Sequence, residues 1–176
     1  MVDTPRPGEK SEPVSAVVDD LGGFAAKLLS SITTSKESFA DIAGMADIYE
    51  IQASQMALRR SQRTDVKDFA QQMIKDHTRT SDDLKSMLGS LNEPIEPPTK
   101  LNALFQTLMD DLSGASEEHF DKRYLAQQES VHSAAVTLTK TYRDHGDNSA
   151  LRELAKLAVP LYEDHLRMVK NLAKAA

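Results

Sequence analysis

The sequence predicts an all-α protein, an antiparallel four-helix bundle, and three observations carry that expectation. Aromatics are 5% of the chain and Trp is absent, whereas Ala, Leu, Gln, Met, Lys and Glu abound, a composition that favours helices over sheets. Apolar residues recur at three- and four-residue spacing along four long segments. Those segments are joined by a short, a long and again a short connection, the order of two helical hairpins linked by a crossover. With 176 residues and 40% hydrophobic content, one domain can bury a sizeable core.

Residues 1–13, "MVDTPRPGEKSEP", lack the apolar stretch of a signal peptide and read as a disordered tail. A leader removed from the mature protein would leave the same picture. Residues 14–33 carry Val14, Val17, Val18, Leu21, Phe24, Ala25, Leu28 and Leu29 at helical spacing and form an accessory amphipathic helix. Its acidic residues Asp19 and Asp20 disfavour lipid, so its apolar face is expected to meet the bundle, a second copy of the chain or a protein partner.

The bundle occupies residues 36–176. Ser35 caps the first long helix, Glu37 complements its dipole, and it runs to about Ser61. A new cap at Thr64 and Asp65 opens the second, so tight a turn forcing an antiparallel hairpin. "GSLNEPIEPP" breaks helicity with three prolines, after which Leu101, Leu104, Phe105 and Leu108 define a short helix. This crossover is long enough to travel the bundle, as in ferritin-like folds. The third long helix spans about Ser116 to Tyr142, and the fourth spans Asn148 to Ala173 with Leu151, Leu154, Leu157, Ala158, Leu161, His165, Met168 and Leu172 inward and Pro160 inside it.

The formal charge of −6 opposes a nucleic-acid or anionic-membrane binder, which needs a basic face. The cluster Arg59, Arg60, Arg63 and Lys67 reads as a solvated helix end. No segment has the length of a transmembrane span. Without cysteine there is no disulfide, thiolate nucleophile or thiolate metal ligand.

Each long helix nevertheless turns an ionisable residue inward: Glu50, His77, His132 and His165, with Glu129 three residues before His132. Carboxylate and imidazole at mid-bundle suit a transition metal such as iron, zinc or manganese, and the metal-ligand candidates are Glu50, His77, Glu129, His132 and His165. Asp76 is placed to orient His77 from behind. Glu50 and His77 lie thirteen and fourteen residues from the first turn, at nearly equal height. His132 and His165 lie twelve and seventeen from the second turn, an offset of roughly 7 Å at the helical rise, and the same count sets Tyr162 level with His132.

The competing expectation is a metal-free structural or interaction bundle in which Glu50 and the histidines form a buried hydrogen-bond network. A symmetric di-iron oxidase is disfavoured, because it needs the Glu-x-x-His motif twice and the positions three before His77 and His165 are Ile74 and Tyr162, neither a carboxylate. No phosphate loop or nucleophile elbow occurs, and the methionines read as core filler. A binding role is therefore expected rather than an enzymatic one.

The segments "FADIAGMADIYEIQASQMAL", "VKDFAQQMIKDHTRTSDDL", "FDKRYLAQQESVHSAA" and "ALRELAKLAVPLYEDHLRM" together resemble a bacterial ferritin-like family of unknown function, often labelled predicted outer-membrane or periplasmic protein. The resemblance covers roughly residues 38–174. It implies a four-helix bundle, export to the periplasm, an association with stress responses, and no established enzyme activity; together with the candidate ligands it leads to an expectation of metal handling or oxidative-stress protection in the cell envelope.

Overall fold

The computed structural model describes residues 23, 24, 27, 28 and 34–174. Among these residues the regular structure is all helical: α1 Lys36–Arg60, α2 Thr64–Gly89, α3 Ala103–Gly114, α4 Glu117–His145 and α5 Ser149–Lys174. The expected disordered tail and most of the accessory helix lie outside the described residues. At Gly23, Phe24, Lys27 and Leu28 the backbone is helical, and the Phe24 ring meets the edge of Phe105 at 5.4 Å. No described helix is long and apolar enough to cross a membrane.

Local chemistry explains the helix ends. The Ser35 hydroxyl accepts from the Ser38 amide at 3.2 Å and starts α1. α2 begins at Thr64 as expected, but its cap position is Arg63, which offers no side-chain acceptor. Asp65 instead takes the Val66 amide and both arms of the Arg63 guanidinium. Asn102 caps α3 through the Phe105 amide, and Asn148 caps α5 through that of Leu151.

α1 and α2 form one antiparallel hairpin, α4 and α5 the other; α1 also packs on α4, and α2 on α5. α3 lies across α1 and α4, inserting Phe105, Leu108 and Leu112. A polar strut fixes it there. Tyr49 donates to Gln127 at 2.7 Å, and the Gln127 amide donates onward to the Leu108 carbonyl and Asp111. At the bundle end, Arg60 is more than a solvated residue: its guanidinium donates to the carbonyls of Leu112, Ser113 and Ala115 and lies over the Phe120 ring at 4.4 Å.

α5 differs from expectation in phase. Its buried face is Leu151, Ala155, Val159, Tyr162, His165 and Val169, while Leu157 is 74% exposed. The leucines marked the apolar half of the helix, but the seam is rotated onto this face, where Ala155, Val159 and Val169 are small enough for close packing.

Gly44 shows the same demand for closeness. A Cβ there would stand 2.8 Å from the Pro98 ring of the crossover. Gly44→Ala should therefore lower unfolding free energy by about 1 kcal/mol in urea titration, because overpacking outweighs the gain in helix propensity.

Candidate metal centre

His77 on α2, His132 on α4 and His165 on α5 are each at most 2% exposed. One ring nitrogen from each lies within 4.8 Å of the others. His77 Nε2 is 3.4 Å from His132 Nε2, which is 3.2 Å from His165 Nδ1. The sequence offset between His132 and His165 thus disappears at the side-chain tips. Helical side chains lean toward the start of their own helix, so on antiparallel helices the two imidazoles lean toward one another. His132 displays this lean, its Nδ1 reaching back 2.9 Å to the Gln128 carbonyl.

The outer nitrogen of every ring is occupied. His77 Nδ1 faces Asp47 Oδ1 at 2.8 Å, His132 Nδ1 faces the Gln128 carbonyl, and His165 Nε2 faces Asp76 Oδ2 at 3.0 Å. A carbonyl or carboxylate can only accept, so His132 and His165 carry their protons on the outer side. Their inner nitrogens are bare lone pairs 3.2 Å apart. Such a contact is repulsive unless a cation joins it. Nitrogens bound to one tetrahedral ion at about 2.0–2.1 Å stand about 3.3–3.4 Å apart, close to the separations of His132 Nε2 from His77 Nε2 and His165 Nδ1. Ring orientation by an outer carboxylate or carbonyl is also how metal-binding histidines are held.

Electrostatics divide the three rings. Burial takes His132 well below the usual imidazole range, and charge on His77 or His165 would lower it further. Burial and the His77 charge bring His165 down to about 4 against the pull of Asp76. Burial also works against a charged His77, but the Asp47 bond and charge outweigh it and raise His77. Burial raises Asp47 itself, opposed by His77 and Thr80. For Asp76, burial is overcome by bonds from Gln72 and His165, which hold it below the usual carboxylate range. Without a metal, His77 is therefore the ring of the three that favours the extra proton of an imidazolium, between Asp47 and His132.

Glu50 is buried with neither carboxylate oxygen hydrogen-bonded. It lines a cavity of about 20 Å³ with His77 and His132, enough for one water, and lies 3.6 Å from His132 Nδ1. Burial pushes it up to about 7, opposed by the His77 charge and the Gln128 amide.

Three expected relationships change. Glu129 is not brought to the cluster: its side chain is 44% exposed and faces Lys170 at 4.0 Å, because residues three apart on a helix share only a broad face and His132 takes the inner edge. Glu50 does not bond His77; Asp47, three residues earlier, does, steadied by Thr80, which donates to the same oxygen at 2.9 Å. Asp76 orients His165 rather than His77, since adjacent helical residues do not face each other. Asp47 was not among the sequence candidates, although it precedes Glu50 by three and so falls on the same inward face of α1.

A family profile described as Domain of unknown function (DUF4142) matches residues 25–172. The chain belongs to this family. No curated protein matches the DUF4142 chain by sequence. Among solved structures, it is similar to CopM in the Cu(I)-bound form, with a TM-score of 0.67 and 17% identity over 81% of this chain and 98% of that chain. It is also similar to CopM in the Cu(II)-bound form, with a TM-score of 0.65 and 16% identity over 80% and 97%. At such identity the likeness shows the shared fold. Of the earlier resemblance, these comparisons carry the helical domain of unknown function; the ferritin-like label remains a reading of the connectivity.

Glu50 also sets a pH signature for the metal-free DUF4142 chain. Its folded pKa of about 7 stands above the ordinary 4.5, so its contribution to stability is fully present below 4.5 and is lost as pH rises through 7. Glu50→Gln should leave urea stability unchanged at pH 4 and raise it by about 2–3 kcal/mol at pH 8.5.

Proposed function

We propose that this DUF4142 protein binds a transition-metal ion through His77, His132 and His165 and serves metal handling rather than catalysis. The observation that carries this reading is the pair of bare imidazole nitrogens held 3.2 Å apart by outer acceptors that fix both protons away from the centre. Asp47, Gln128 and Asp76 orient the three rings, and Glu50 is the nearby anionic side chain able to complete the coordination or to accept a proton from a bound water. Nitrogen and oxygen donors suit copper, zinc or iron. Copper comes first, because both CopM structures of this fold hold it. On the resemblance of its sequence, its place of action is the cell envelope, in metal or oxidative stress.

A metal-free network is the second reading, favoured by the single proton that His77, Asp47 and His132 can share. Metal analysis of untagged protein separates the two. The wild-type chain should bind one Cu(II) or Zn(II) per molecule, and His77→Ala, His132→Ala or His165→Ala should abolish that stoichiometric binding. Asp47→Asn should weaken it about 10- to 100-fold, as loss of an orienting partner does. Glu129→Ala should change nothing. A wild-type chain that takes up no ion under these conditions favours the metal-free network.

Protons compete with the ion for the same nitrogens. Because His77 titrates above its ordinary 6.5, affinity should rise with pH up to that folded value and then level off. Below it the loss is about tenfold per pH unit for one displaced proton. Chelator competition between pH 5.5 and 8.5 measures the slope.

A further inference from the structure

The three imidazoles are sealed from solvent, so an ion that reaches them must cross a wall, and one wall is thin. A groove of about 270 Å³ lies among α1, α2 and α5. The inner cavity beside Glu50, His77 and His132 measures about 20 Å³. Ala43, Thr139 and Tyr162 border both spaces. Of these only Tyr162 is bulky, and its ring lies parallel to the His77 imidazole, centroids 5.7 Å apart at an interplanar angle of 7°.

The groove also holds oxygen donors in sequence from outside to inside. Asp83 is exposed, Thr80 is half-buried, and Asp47 is buried. Asp47 borders the groove, and its carboxylate holds His77 Nδ1 at 2.8 Å. Arg79 borders the groove as well, but its 63% exposed side chain is turned toward Asp76 at 3.9 Å, where solvent screens it.

We propose that this groove is the port through which a transition-metal cation reaches the histidines, with Tyr162 as the movable partition and Asp83 and Asp47 as its successive oxygen ligands. The proposal rests on the three histidines being the metal site. The groove accommodates an ion that keeps part of its water shell, whereas the inner cavity has room for about one water. Water must therefore be exchanged for protein oxygen before the ion passes, and carboxylates make that exchange. Rotation of the Tyr162 ring away from His77 joins the two spaces without moving a helix.

Stopped-flow mixing of the metal-free chain with Cu(II), followed by absorbance, tests this alongside equilibrium affinity from chelator competition. Ala158→Trp fills the groove without touching a histidine and should slow uptake about tenfold at unchanged affinity. Tyr162→Ala should speed both uptake and release, and Tyr162→Phe, which keeps the ring, should behave as wild type. Asp83→Asn, at an exposed position that folding does not depend on, should slow uptake. Wild-type uptake rates in Ala158→Trp, Tyr162→Ala and Asp83→Asn, with Cu(II) still bound at equilibrium, overturn the port alone. A wild-type chain that binds no Cu(II) overturns the metal site and the port together.

Discussion

Two acceptors that cannot donate, the Gln128 carbonyl and the Asp76 carboxylate, determine the character of the bundle's centre. By accepting hydrogen bonds from His132 and His165 on their outer sides, they leave two lone pairs facing inward at 3.2 Å. With both protons held on the outer nitrogens, neutral imidazoles leave that contact unrelieved. It needs a positive charge, which the chain can supply as a proton on His77 or accept as a metal ion. The rest of the interior is organised so that this contact stays in place.

That organisation is expensive in stability. Asp47, Glu50, Asp76, His77, His132 and His165 are all buried around the centre, and the carboxylate oxygens of Glu50 lack hydrogen bonds. An unpartnered buried charge costs several kcal/mol, and the structure lessens the cost in Glu50 by raising its pKa to about 7. Rigid packing around the site offsets what remains. The Tyr49–Gln127–Asp111 strut ties α3 to α1 and α4, Arg60 pins the joint between α3 and α4, and Phe39 stacks on Tyr142 at 4.2 Å. A centre held this firmly keeps its ring nitrogens in place, which on the proposed metal-binding reading reduces the reorganisation that binding requires.

Much of the candidate site was legible from helical phase. Glu50, His77, His132 and His165 all fall on apolar stripes, and all four are buried. Asp47 was equally available on the stripe of α1, but a carboxylate next to an apolar run is ordinarily read as solvated, and only the Thr80 and His77 contacts reveal its role. Glu129 misled because i, i+3 spacing brings two residues to one face without bringing both to its inner edge. The His132 and His165 offset misled because residue counting locates Cα atoms, whereas coordination chemistry happens at side-chain tips several ångströms away.

The sequence by itself determined the helices, their order and the short turns that make two antiparallel hairpins, since period, caps and breakers are local properties of the chain. It also determined which side of most helices faces inward. Only the tertiary structure decided which carboxylate orients which imidazole, that Leu157 faces solvent while Ala155 lies in the seam, and that Tyr162 separates groove from cavity. Those outcomes depend on the distance and rotation between helices far apart in sequence, and a residue's own periodicity contains neither quantity.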